Sequence, residues 1–189
     1  MTTFYFVRHG EPDYQSVGDW AEIPFGKEFA GLTKTGETQI MDAVVKLRKN
    51  SPQLIISSPY TRTMQGAGII ARELNLPIFV ELDLHEWESD RTHTVRDSGE
   101  LLRLCREHDS FNGIYPKNCE KLWESTQLVR ERVLKVLEHY LSYERVIVSG
   151  HAMMIQAVTG EYRPFAYGEI VTRSWEDILQ ESVEADMAR

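Results

Sequence analysis

Two histidines and two arginines in this chain each follow a short run of apolar residues. Arg8 and His9 come directly after Phe4-Tyr5-Phe6-Val7, Arg62 follows Leu54-Ile55-Ile56 at short range, and His151 closes the run Val146-Ile147-Val148-Ser149-Gly150. A run of this kind reads as a buried strand. In an open α/β sheet the carboxyl ends of strands face the ligand crevice. Taken alone, Arg8 and His9 read better as an exposed basic pair closing an edge strand. Recurrence of the pattern at three runs argues instead for one shared rim. Guanidinium forks and imidazoles converging there offer many N–H donors to a tetrahedral dianion, which is what a phosphoryl group needs. A neutral histidine aimed at phosphorus is also a nucleophile that can split one hard displacement into two easier ones. The departing oxygen then needs a proton. Glu86, in Leu84-His85-Glu86-Trp87, is the natural carboxylic acid to supply it, for a gain of roughly 10²- to 10⁴-fold.

These residues need elements to position them. Between the runs the pattern turns helical. Ile40, Val44 and Leu47 fall at i, i+4 and i+7 from Thr33 onward, and Asn50-Ser51-Pro52 ends that helix. After Ser57-Ser58, Pro59 suits a first helical position with Ser58 as cap, and Met64, Ala67, Ala71 and Leu74 continue one face. The helix N-terminus and Arg62 together make an anion site. Ile78-Phe79-Val80 reads as a third strand, Glu100 to His108 as a helix, and about Cys119 to Ser142 as a longer one carrying Leu122, Val129, Val133, Val136 and Tyr140 on one face. A short apolar helix follows His151 to Val158. Glu169 to Arg173 reads as a last strand at the sheet edge. Ser174 with Asp177 caps a final helix bearing Trp175, Ile178, Leu179 and Val183. Fully apolar strands alternating with helices predict an α/β fold, a three-layer α/β/α sandwich around a mainly parallel sheet. Right-handed crossovers bring Arg8, His9, Arg62 and His151 to one rim.

Two long stretches are irregular. Pro12 to Gly31, punctuated by Pro12, Gly18, Pro24, Gly26 and Gly31, carries Tyr14, Trp20, Phe25 and Phe29; these aromatics line a substrate pocket or simply pack over the sheet. The polar segment with Arg91, His93 and Arg96 is placed to rim the crevice.

Composition bounds the alternatives. A chain of 189 residues suits one domain, here 1–189 with a small lid-like elaboration around 81–120. A net charge of -8 argues against nucleic acid or an anionic membrane as the partner. Cys105 and Cys119 have neither disulfide-framework nor zinc-site spacing, and His85 and His93 lack ligand company, so no metal is expected. With no signal-like or membrane-length apolar run, a cytoplasmic protein is expected. The oligomeric state is left open.

The ordered set Arg8-His9-Gly10-Glu11, Leu32-Thr33 with Gly36 and Gln39, Ser57-Ser58-Pro59 with Arg62 and Thr63, Leu84-His85-Glu86, and Ser149-Gly150-His151 resembles the histidine phosphatase superfamily, phosphoglycerate mutase-like branch. Glu124-Ser125 also resembles the Gly-Glu-Ser turn of that branch, with Trp123 where the glycine often stands. The resemblance implies a phosphoglycerate mutase-like fold, no metal or other cofactor, a phosphohistidine on His9, phosphate contacts from Arg8, Arg62 and His151, and Glu86 as proton donor. Gln15 stands where an asparagine is common, and it and Ser58 are candidate substrate-binding residues. Ala152 replaces a frequent glycine, and the Gly-rich sequence that often follows the acid is absent. Because the region from Val80 to Glu120 offers little extra chain for a lid that excludes water, hydrolysis of a small phosphomonoester is expected, the activity of a histidine acid phosphatase-like phosphomonoesterase. A mutase, and a non-catalytic phosphate-binding or interaction protein, are the alternatives.

Overall fold

The structure is a computed structural model and describes residues 1–22, 25–95, 97–118 and 120–180. Pro24, Arg96, Cys119 and Val183, each singled out above, lie outside the described residues. Five strands form one sheet: β1 (Thr3–Arg8), β2 (Leu54–Ser57), β3 (Ile78–Val80), β4 (Arg145–Gly150) and β5 (Ile170–Ser174), in the order β3-β2-β4-β1-β5. The first four run parallel, and β5 pairs antiparallel with β1 at the edge.

Alternation along the strands explains the layers. Phe4, Phe6, Leu54, Ile56, Val146 and Val148 point to one core, shared with Val129, Val133, Met154 and Ile155. Tyr5, Val7, Ile55 and Ile147 point to the other, shared with Ile40, Val44, Ala67 and Ile70. Strands that bury both faces need helices on both sides. These are α1 (Lys34–Leu47) and α2 (Thr61–Leu74) on one face, and α4 (Thr126–Glu138) and α5 (Ala152–Thr159) on the other. Helix α3 (Ser98–Ser110) precedes α4. The fold is thus the three-layer α/β sandwich that the sequence predicts. No helix of the described residues is long and apolar enough to cross a membrane.

Helix boundaries differ from the sequence reading in two places that bear on the site. Helix α2 begins at Thr61 with Tyr60 as N-cap, rather than at Pro59 with Ser58 as cap. The Tyr60 carbonyl is the first acceptor, taking the Met64 N–H at 3.0 Å, and the Thr63 hydroxyl folds back on the carbonyls of Ser58 and Tyr60. Helix α4 begins at Thr126, well after Cys119, because Ser125 caps it by accepting the Leu128 N–H at 3.3 Å. The residues just before that cap serve the site instead. Residues 175–180 are helical, opened by the expected exchange between Ser174 and Asp177. The stretch after Pro12 contains two 3-10 turns, Gly18–Glu22 and Gly26–Phe29.

Candidate active site

Register brings the chemistry together. Arg8 lies opposite Gly150 and Ser57 opposite Ser149. The His9 N–H donates to the Gly150 carbonyl and the Ser58 N–H to the Ser149 carbonyl, both at 3.0 Å. His9, His151 and Ser58 are therefore the next residues off three adjacent strands, β1, β4 and β2. Ring centroids of His9 and His151 are 5.3 Å apart.

The turn after β1 is locked by the motif residues around it. Thr33 caps α1 by accepting the Gly36 N–H at 2.9 Å, and its hydroxyl donates to the Glu11 carboxylate at 2.6 Å. Gln39 accepts the Glu11 N–H at 2.8 Å. A Cβ on Gly10 would sit 2.3 Å from the Gly36 carbonyl oxygen, and one on Gly36 would sit 2.4 Å from the Glu11 oxygen. Only glycine at both positions lets the loop lie this close to the helix.

His9 is buried, and its Nδ1 lies 2.7 Å from the Gly10 carbonyl oxygen. A carbonyl only accepts, so Nδ1 carries the proton and Nε2 keeps a free lone pair. Burial, and then the charges of Arg62 and Arg8, push the imidazole pKa down to about 3 against the pull of the Gly10 carbonyl. The ring is neutral at ordinary pH. His151 is fully buried, with Nε2 at 2.8 Å from the Ser58 hydroxyl and Nδ1 at 3.4 Å from Nη2 of Arg62. Burial, followed by the Arg62 charge, holds it well below the usual histidine range.

Arg62, at 4% exposure, reaches the Lys27 carbonyl at 3.2 Å and the Glu28 carboxylate at 2.7 Å. Burial pushes the Glu28 carboxyl up, with Arg62 opposing and Glu86 reinforcing. Arg8 donates to the Phe165 carbonyl and stacks 4.1 Å from the Tyr167 ring centroid. Tyr167 also lies 5.7 Å from the His9 ring. The Nε atoms of both arginines are buried without a partner.

Glu86 arrives from another direction. Its Oε1 accepts the N–H groups of Trp87 (2.9 Å) and Met154 (3.1 Å), and its Oε2 accepts that of Met153 (3.3 Å), so the carboxylate sits on the N-terminus of α5. The loop that carries it is clamped by Arg132 of α4. That guanidinium donates to the carbonyls of Asp83, His85 (2.9 Å) and Glu86 (3.3 Å) and pairs with Glu124 at 2.7 Å. Glu124 in turn accepts the Glu88 N–H at 3.2 Å. The Glu124-Ser125 pair thus links the acid-bearing loop to the start of α4, and Trp123 packs fully buried against Tyr115 and His108.

Ser58 is wholly buried beneath His151. Gln15 lies on an exposed turn, its N–H taken by Asp13 at 3.2 Å. Beside it, burial raises the Tyr14 phenol, and Arg62, Glu28, Tyr167 and Glu86 all act on it electrostatically. His93 packs on Phe25 at 5.1 Å. Sequence reasoning missed Glu28, Tyr167, Arg132 and Tyr60, whose ring centroid lies 5.2 Å from that of His151. Only Arg132 left a trace, as a basic residue about two helical turns beyond Glu124-Ser125.

This cluster and its fold define a class. The family model described as "Histidine phosphatase superfamily (branch 1)" matches residues 4–173. The chain belongs to that superfamily, whose chemistry is phosphoryl transfer. It is 30% identical over 167 residues to a protein of Bacillus subtilis (strain 168) named as an uncharacterized phosphatase PhoE, covering 85% of this chain and 77% of that one. The fold is similar to that of a mycobacterial glucosyl-3-phosphoglycerate phosphatase (TM-score 0.68, 17% identity, 90% of this chain and 89% of that one). It is likewise similar to YhfR from Bacillus stearothermophilus (TM-score 0.66, 18% identity, 91% and 90%).

Proposed function

We propose that this protein is a metal-independent phosphatase that hydrolyses a small phosphomonoester through a phosphohistidine on His9. The observation that carries the reading is the His9 ring. It is neutral, fixed by Nδ1–H to Gly10, and has Nε2 unencumbered. In the first step Nε2 attacks phosphorus and the P–O bond to the leaving group breaks. Glu86 gives that oxygen its proton. In the second step Glu86, now a carboxylate, takes a proton from water as the water oxygen displaces His9 from phosphorus.

Arg8, Arg62 and His151 hold the phosphoryl oxygens. The Ser58 hydroxyl can donate as well as accept. Because the Arg62 guanidinium only donates, Nδ1 of His151 accepts from it and Nε2 carries the proton given to the Ser58 hydroxyl, the proton that would turn to a phosphoryl oxygen. Glu28 then has to share Arg62 with the phosphate. Gln15, on its exposed turn, is assigned to the non-phosphate part of the substrate.

The test is hydrolysis of an aryl and an alkyl phosphate in the presence of a chelator, by the parent protein and by His9→Ala. The expected result is phosphate release by the parent that disappears in the variant. Full activity in His9→Ala would sink the mechanism. Isomerisation of a phosphorylated acid outpacing phosphate release would convert the reading to a mutase.

A further inference from the structure

We propose that the cavity between α3, α4 and α5 binds a neutral, planar, largely apolar molecule bearing one N–H or O–H donor, and that its occupancy is felt by Glu86. The cavity measures about 530 Å³, within the range of small-molecule sites of roughly 300–1,000 Å³. Its apolar wall includes Trp87, Ile114, Val129, Met153, Ala157 and Tyr162. Arg8, His9, Arg62, His151 and Glu86 do not line it.

His108 supplies the polar specificity. Its side chain is only 9% exposed, and Nδ1 lies 3.1 Å from the Asp109 carboxylate. In the neutral ring that carboxylate takes the Nδ1 proton and leaves Nε2 as an acceptor, and this atom has no partner. The ring cannot readily turn to find one. It lies 4.5 Å from Trp87 at a 52° tilt and edge-on 5.1 Å from Trp123. A buried acceptor without a donor is costly and calls for an explanation. A ligand whose flat apolar body lies against Trp87 and whose single N–H or O–H meets Nε2 supplies one.

The cavity shares its wall with the support of Glu86. Trp87 and Met153 both line it, and their N–H groups hold the two carboxylate oxygens of Glu86 at 2.9 and 3.3 Å. A ligand that displaces either side chain moves a donor of the acid. This second claim rests on the role of Glu86 proposed above, whereas the binding claim does not.

The probes are indole and its isostere benzofuran, which lacks the N–H, titrated calorimetrically into the full chain. Indole is expected to bind saturably at one site. Benzofuran should bind about three- to tenfold more weakly, the share of one hydrogen bond. His108→Phe should remove that difference, and Ala157→Met, which fills the cavity, should weaken both probes. Saturating inorganic phosphate should not displace indole. The absence of saturable binding, equal affinity of the two probes for the parent, or displacement by phosphate would each overturn the site. Turnover of an alkyl phosphate at saturating indole should change at least twofold in kcat, and binding without any such change would overturn the link to Glu86. If the chain turns over no phosphate ester, the calorimetric arm still decides the site.

Discussion

The strand-end cluster of Arg8, His9, Ser58 and His151, the proposed phosphate cup, and the loop that carries Glu86 are built differently. Arg8, His9, Ser58 and His151 stand at the ends of strands in register, so the sheet itself sets their spacing. Glu86 stands on a loop whose place is set by side chains far away in sequence, Arg132 and Glu124, and by the N–H groups that open α5. The cup is fixed by backbone pairing. The acid is fixed by a clamp. Damage to the cup should therefore remove chemistry while sparing the fold, and damage to the clamp should cost stability and chemistry together.

The sharpest division is expected at His9. His9→Ala should lower turnover by roughly 10⁴-fold or more, the scale seen when a covalent nucleophile is removed, with the circular dichroism spectrum unchanged. Glu86→Gln should cost about 10²- to 10⁴-fold on alkyl phosphates and much less on aryl phosphates, whose leaving groups need little acid help. Equal losses on both substrates, measured by steady-state kinetics, would remove Glu86 from the acid role.

The clamp is probed by Arg132→Met. Glu124 would be left as an unpaired buried carboxylate, and about 3 kcal/mol of stability should be lost in urea denaturation. Adding Glu124→Gln should recover part of it. A variant as stable as the parent would mean that the loop is held some other way.

His9 distinguishes the regions by pH as well. Its folded pKa is depressed to about 3, from an unperturbed 6.5. The unfolded chain therefore binds more protons between those values, and this contribution to stability is complete above about pH 6.5 and lost as pH falls toward 3. Within that window each unit should cost about 1.4 kcal/mol for this group. Urea midpoints across pH 4–7 should show a flatter slope in His9→Gln. The smallest effect is expected at Glu28. Glu28→Gln leaves Arg62 free of a competing carboxylate and should tighten inorganic phosphate binding about threefold, on the scale of one screened charge pair.

The same division governs what could be read from the sequence. Strand ends were legible because an apolar run followed by Arg-His, Ser-Ser or Ser-Gly-His marks both the strand and where it stops. The glycines at 10 and 36 were legible as motif members, but their mutual approach is visible only in space. Ser-Pro commonly opens a helix and so marks Ser58 as a cap, whereas its hydroxyl pairs with His151 at 2.8 Å and meets only the Tyr60 N–H, at 3.4 Å, ahead of α2. Leu122 fits the apolar periodicity of α4 and so predicts a start earlier than Thr126. The chain instead spends Trp123 and Glu124 on packing and on the Arg132 clamp before Ser125 starts the helix. Glu28 and Tyr167 lie in loops whose paths no periodicity dictates, and neither could be placed on Arg62 or Arg8 without the structure.

The central claim is that phosphorus is transferred to Nε2 of His9. Mixing the protein with a ³²P-labelled phosphomonoester, quenching in alkali within milliseconds and mapping the label by mass spectrometry tests it directly. The account predicts a base-stable, acid-labile label on His9 that forms before phosphate is released and is absent from His9→Ala. Turnover that proceeds with no labelled protein at any quench time, or a label on another residue, would contradict it.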